Sequence, residues 1–302
     1  ASHLVTLWGA ADRLEGSLSS APRAGTNRLR SVAAARASEL ISEGRVFGAS
    51  EFEAQVDHLL PFPSPSAWFR KLIQGTPAPS ELNRFAGDWR FQSRGIVFPN
   101  STFDTVQFSG EISGDPAAAR NFAEFSRSLR IPWEFAVSNI LSDQLSIGSI
   151  AAEGLWSHPA FTITNLVARL YGGSLTGSAK LKMDTRAGSG SFRGDFDYQK
   201  VARLFDRPVQ QWMEQFTWAI PPNIEAELAF AWPALTNSLD DIERTLIRSI
   251  GIRGSFDGAG SFVGIPVRKA RGNFEFTNFV WRLPGLTIER PEGISKIDYT
   301  GD

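Results

Sequence analysis

LYGGSLTGSAKLKMD, residues 170–184, is the stretch on which the reading of the chain turns. Leu175, Gly177, Ala179, Leu181 and Met183 alternate with Thr176, Ser178, Lys180, Lys182 and Asp184. Successive side chains of a strand point to opposite faces, so this spacing predicts a strand with one apolar and one wet face. Gly172-Gly173 stands where a tight hairpin turn needs positive φ, a conformation glycine adopts at almost no steric cost. The stretch therefore reads strand, turn, strand.

The same alternation recurs from residue 85 onward. Val106, Phe108 and Ile112 oppose Thr105, Gln107, Ser109 and Glu111; Ile224, Ala226, Leu228, Phe230 and Trp232 oppose Glu225 and Glu227; Phe274 and Phe276 alternate with Asn273, Glu275 and Thr277. One face dry and one solvated is the grammar of antiparallel sheet. GSFRG at 190–194, GSFDG at 254–258 and GSFVG at 260–264 echo one another without a fixed period. Each predicts a strand that bends readily while presenting a phenylalanine on one face.

Before residue 85 the spacing changes. Leu4, Leu7, Ala11, Leu14 and Leu18, then Leu29, Val32, Ala33, Arg36 and Leu40 after a Thr26-Asn27 cap, recur at helical intervals. With a short helix near Ser66 to Ile73 between the proline runs PFPSP and TPAPS, and one strand near Arg45 to Val56, residues 1–84 read as a mostly helical segment. Three more amphipathic stripes interrupt the later strands. They are Ala118, Phe122, Phe125 and Leu129 after Asp115-Pro116; Val201 to Phe216, broken at Pro208; and Leu239, Ile242, Leu246 and Ile250. Such helices need an apolar surface, and the greasy strand faces supply one. The expected fold class is thus α+β, with an antiparallel sheet in residues 85–302, helices packed against it and a helical N-terminal part.

Composition narrows function. The 302 residues carry a net charge of −1 and a pI near 6.4, which gives no overall pull toward nucleic acid or an anionic membrane surface. There are 23 Phe and 9 Trp against 3 Tyr, so most of the aromatic area has no polar handle and must be buried or face something apolar. The absence of cysteine excludes disulfides, thiolate metal sites and a cysteine nucleophile. No uninterrupted apolar run is long enough to read as a membrane helix.

The chain carries few residues in catalytic or ligand-binding patterns. His3, His58 and His158 have no metal-ligand spacing, and no metal site is expected. Gly188-Ser189-Gly190 and Gly258-Ala259-Gly260 lead into strands, whereas a phosphate loop opens a helix. Asp195 and Asp197 share a strand face, and Asp240, Asp241 and Glu243 crowd a helix start, where solvation and the helix dipole account for them. No catalytic residue and no cofactor is expected, and the aromatics lack the interleaved basic residues of a nucleic-acid platform.

The run from Leu145 to Met183, LSIGSIAAEGLWSHPAFTITNLVARLYGGSLTGSAKLKM, resembles the AsmA-like proteins of bacterial envelopes, of the AsmA and TamB type. The likeness lies in the hairpin Tyr171 to Leu181, matching Y-G-G-x-L-x-G-x-A-x-L, in the segment Ile163 to Leu170 before it, and in an amphipathic helix after Tyr198. It covers roughly a hundred residues. The resemblance implies a long twisted antiparallel sheet curled into an open groove that moves or guides lipid between inner and outer membranes and supports outer-membrane biogenesis. It also implies a periplasmic or envelope location in a Gram-negative-type bacterium, with inner-membrane anchoring through segments outside this piece of a longer chain, and no catalytic residues.

The residues agree independently with a lipid role. Exposing about thirty methylenes of a phospholipid costs roughly 20 kcal/mol at ~0.8 kcal/mol each. A strand of about eight residues spans ~26 Å, comparable with an acyl chain. The candidate groove lining is Leu175, Leu181 and Met183 with Phe192 and Phe196 of the next strand. To these are added Ile163 upstream, Val106, Phe108 and Ile112, then Ile224, Leu228 and Phe230, and lastly Phe274 and Phe276. The expected partners are phospholipid or other acyl chains, and envelope proteins through strand edges, with no nucleic acid. The competing expectation is a protein-interaction scaffold whose sheet face is fully covered, with no lipid path.

Overall fold

The computed structural model describes residues 2–6, 9–26, 28–42, 45–59, 85–114, 124, 127–143, 145–204, 207–232, 249–278 and 280–301. Of these, 79% are in strands and 6% are helical, which overturns the α+β expectation: the described residues are nearly all antiparallel β-sheet. It divides into two compact units, residues 1–140 with 151–161 and residues 141–150 with 162–302.

In the first unit the expected N-terminal helices are strands, β1 (Ser2–Thr6), β2 (Gly9–Pro22), β3 (Arg28–Ala37) and β4 (Leu40–Ser42), while the strand expected near Arg45 to Val56 forms as β5 (Arg45–Phe47) and β6 (Ser50–Leu59). They are followed by β7 (Phe85–Phe98) and β8 (Ser101–Gly114). Alanine-rich β3 has helical propensity, but that is a weak prior which pairing on both sides overrides. Gly16 lies opposite Ala35, Ala35 opposite Phe52, Phe52 opposite Phe91 and Phe91 opposite Phe108, so small residues on β2 and β3 meet large ones beyond. On the other face Arg30 is opposite Asp57 and Arg36 opposite Glu51. Arg30 donates to Asp57 from Nε at 2.8 Å and from Nη2 at 3.1 Å, and these bonds hold the Asp57 carboxyl below its usual range. The short helix expected near Ser66 lies outside the described residues.

Strands β9 (Arg130–Ser142), β10 (Ser146–Ser157) and β11 (Ala160–Leu170) have residues in each unit. The second unit continues with β12 (Gly173–Lys182), β13 (Ala187–Gly194), a 3-10 turn at Tyr198–Leu204, the short helix α1 (Arg207–Met213) and β14 (Phe216–Ala231). It ends with β15 (Gly251–Phe262), β16 (Ile265–Thr277), β17 (Val280–Arg290) and β18 (Gly293–Gly301), and β12 to β18 pair antiparallel in chain order. Of the amphipathic helix expected over Val201 to Phe216, the described residues form the end of the short 3-10 helix Tyr198–Leu204 and the two-turn helix α1, and Phe216 already belongs to β14. Of the helix expected after Asp115, residues 124, 127 and 128 are described as helical, whereas Leu129 is not helical and directly precedes β9; the one expected through Leu239 and Leu246 lies outside the described residues up to 248.

The opening hairpin forms as expected with its turn one residue earlier. Positive φ falls on Tyr171 (49°) and Gly172 (80°), the pair a type I′ turn requires, and Gly173 already begins β12. Gly173 is needed for another reason: a Cβ there would lie 2.6 Å from Phe196 Cα.

Few side chains are fully buried. Among the described residues nine apolar ones are buried, at 4–8% exposure, and most apolar side chains of the strands are half-buried. One small core does close in the second unit, where Ala168, Leu170 and Phe196 are packed by Ile147, Ile150, Tyr171, Leu175, Tyr198 and Val201 beneath the 3-10 turn.

Candidate functional site

Pairing registers carry the alternation of each strand into rows across the second unit. Leu175, Gly194, Ile224 and Phe256 are opposed in turn, as are Gly177, Phe192, Ala226, Gly254 and Phe274. A third row runs Ala179, Gly190, Leu228, Ile252, Phe276 and Trp281, and a fourth Leu181, Gly188 and Phe230. Directly opposed residues share a face, so these four rows make one continuous apolar surface.

Large rings lie down over neighbouring glycines on this surface. A Cβ built on Gly188 would come within 2.2 Å of the Phe230 ring, and one on Gly254 within 2.5 Å of the Phe274 ring. Gly177 is crowded by backbone instead, a Cβ there standing 2.6 Å from the Ser191 carbonyl oxygen. Gly–aromatic pairing across strands lets a single layer shield part of its own rings. The result is a surface of half-buried side chains, with Trp281 still 42% exposed.

The candidate lining residues do not all arrive on this face. Leu175, Leu181, Phe192, Ile224, Leu228, Phe230, Phe274 and Phe276 do. Met183 falls in the turn after β12 and is exposed. Phe196 falls beyond β13 and is 8% exposed, its ring centroid 4.2 Å from that of Tyr198, so it is a core residue. Ile163, on β11, borders a hollow described below. Val106, Phe108 and Ile112 share one face of β8 in the first unit, where Phe108 is edge-on to Trp89 at 4.5 Å and Trp133 stacks on Phe161 at 5.1 Å. Ile252, Phe256 and Trp281 were not among the candidates although they complete the rows. The signal for two of them was present in GIRGSFDG, residues 251–258, where Ile252, Gly254 and Phe256 alternate with Arg253, Ser255 and Asp257.

The opposite face is charged and self-neutralising. Arg193 lies 3.4 Å from Glu225, Arg253 3.8 Å from Glu275 and Lys269 3.1 Å from Asp257. Two open hollows, of about 550 and 720 Å³, are bordered largely by residues of this face. The first is lined by Arg193, Glu225, Glu227 and Arg253, and the second by Lys180, Ser189 and Thr162 among others.

The aspartates at 195 and 197 are turn-forming groups. Ser174 donates to Asp195 Oδ1 from its backbone N at 2.7 Å and from Oγ at 3.1 Å; with the backbone bond foremost, these hold the carboxyl below its ordinary value. Asp197 accepts from the backbone N of Gln199 at 3.2 Å. Tyr198 donates its hydroxyl to the Gly194 carbonyl at 2.7 Å, and burial, then the Asp195 charge, push its phenol pKa up. Among the described residues no group of three or more His, Cys, Asp and Glu could hold a metal ion. No described helix is long and apolar enough to cross a membrane.

Comparison with protein-family models, curated proteins and solved structures found no match in any of the three.

Proposed function

We propose that this chain is a non-enzymatic, AsmA-like lipid-binding module whose apolar sheet face takes up acyl chains of phospholipid. On this reading it works in the periplasm, guiding lipid between inner and outer membranes in support of outer-membrane biogenesis. One observation supports it most: four registered rows of apolar side chains run across β12 to β17 and most of their large members are only half-buried. Water contact over such a surface is costly, and a hydrocarbon chain laid on it removes apolar area from both partners. A tail of about fifteen methylenes that hides half its surface gains roughly 6 kcal/mol at ~0.8 kcal/mol per methylene.

A different observation favours the scaffold reading. The hollows of the second unit are bordered by the Arg and Glu face, which suits a charged protein partner better than fatty tails. The two readings separate in one experiment. The purified chain is extracted for mass spectrometry and offered a fluorescent phospholipid, beside a Leu228→Glu variant and an Arg253→Glu variant. The lipid reading expects co-purified phospholipid, with uptake lost in Leu228→Glu and kept in Arg253→Glu. Repeated absence of lipid and of uptake, with crosslinks to proteins lost in Arg253→Glu, overturns it in favour of the scaffold.

A further inference from the structure

The hairpin that joins β15 to β16 ends in Phe262-Val263-Gly264-Ile265-Pro266, with no polar side chain. Other turns of the sheet differ: Arg23 and Thr26 stand between β2 and β3, Asn100 between β7 and β8, Asp184 and Arg186 between β12 and β13, and Glu292 between β17 and β18. Phe262 is 37% exposed, Ile265 45% and Val263 64%. Val263 has a φ of 50° and Gly264 one of 74°, the pair a type I′ turn requires, where asparagine or aspartate is favoured at the first place. A β-branched side chain is rarely held at positive φ. The turn thus sets valine where local chemistry favours a short polar residue, and holds it in water. Its base is firm. Val263 donates its backbone N–H to the Gln215 carbonyl at 2.8 Å, Phe262 is opposite Phe216 with ring centroids 4.9 Å apart, and Phe216 stacks on Trp218 at 5.7 Å.

We propose that this tip docks the second unit on a phospholipid bilayer, with Val263 and Ile265 entering the outer part of the acyl region. Apolar side chains at a lipid surface sit about 5–10 Å into the boundary between headgroups and acyl chains. Trp218, opposite Gly260, lies three residues back from Val263, about 10 Å of strand, at the depth where indole rings collect. Arg268 lies five residues back, roughly 17 Å at ~3.4 Å per residue, and is exposed, which sets its guanidinium on the phosphate side of that boundary. A few side chains on one turn fall short of the ~800 Å² that each partner buries in a stable protein interface, whereas a bilayer surrounds a small knob from every side. Docking of this kind goes beyond uptake of acyl chains by the apolar rows and stands even where that uptake fails.

The chain has no cysteine, so a single one can carry a dye. Val263→Cys is labelled with an environment-sensitive nitrobenzoxadiazole, as is Thr185→Cys in the turn at the other end of these strands, and each is mixed with vesicles of phosphatidylethanolamine and phosphatidylglycerol. The expected result is flotation of the chain with the vesicles, a blue shift at 263 that nitroxides on the acyl chains quench, and no change at 185. Val263→Asn should lower the vesicle partition constant by about tenfold, the share of one buried valine, while the urea midpoint holds or rises because asparagine tolerates positive φ. That split separates docking from folding. A chain that floats at no lipid concentration, flotation unchanged in Val263→Asn, or equal dye shifts at 263 and 185 overturns the proposal. A dye at 263 that is shielded only as the chain self-associates, with or without vesicles, also overturns it and gives the tip to a second copy.

Discussion

Substituting Gly254 by alanine tests the packing of the apolar face through the sign of its effect. In an ordinary strand, glycine is less favourable than alanine by about 0.5–1 kcal/mol, so the substitution should stabilise. Here the new Cβ would stand 2.4 Å from the Glu225 carbonyl oxygen and 2.5 Å from Phe274 Cζ. Ordinary carbon contacts need about 3.5–4 Å, so the ring must lift by roughly 1 Å and the backbone must give as well. Overpacking of this kind costs about 1–3 kcal/mol; less the gain from replacing glycine, the net loss is roughly 1–2 kcal/mol. Urea unfolding followed by tryptophan fluorescence should show a lower midpoint at unchanged slope. In a Phe274→Leu background the loss should shrink to the part owed to Glu225, giving a coupling energy in a double-mutant cycle. A stabilising Gly254→Ala, or one whose cost is the same with and without the ring, would refute the claim that Phe274 lies over Gly254.

Three further outcomes follow from the geometry. Phe196→Ala should cost about 3 kcal/mol or more because that ring sits in the small core, whereas Met183→Ala in the exposed turn should stay within about 0.5 kcal/mol, both read from the same urea midpoints. Asp195 titrates below its ordinary value when folded, so its contribution to stability is complete above about pH 3.9 and is lost as pH falls through the native pKa; an acid titration of the melting midpoint should show Asp195→Asn lacking that component. Tyr198 has a raised phenol pKa, so the stability it contributes is full below about pH 10 and is lost as pH rises toward the native value; Tyr198→Phe should flatten the alkaline limb and lower stability by about 1 kcal/mol through the lost bond to Gly194.

The strands of the second unit were legible because their information is local. Leu175 to Leu181 and Ile224 to Phe230 alternate without interruption, and the pleat converts that directly into faces. The strand near Arg45 to Val56 was legible as β5 and β6, but the strands before it, β1 to β4, were not. Leu4, Leu7, Ala11, Leu14 and Leu18 satisfy helical spacing, and the alanines of β3 favour a helix until Phe52 and Leu18 lie opposite them. That evidence is non-local. Phe196 and Met183 failed as lining residues because alternation gives the phase of a strand and not its last residue; both fall one or two positions beyond the hydrogen-bonded register. The pairing of Phe230 with Gly188 and Phe274 with Gly254 joins positions on adjacent strands, which no single stretch reveals.

Site-specific photocrosslinking decides most directly which surface meets lipid. A benzophenone side chain is placed at Leu228 or Phe276 on the apolar rows, and at Glu227 or Arg253 on the charged face, in chain incubated with radiolabelled phospholipid vesicles. The account predicts lipid adducts at Leu228 and Phe276 and none above background at Glu227 and Arg253. Adducts confined to the charged positions, or equal on both faces, would contradict it.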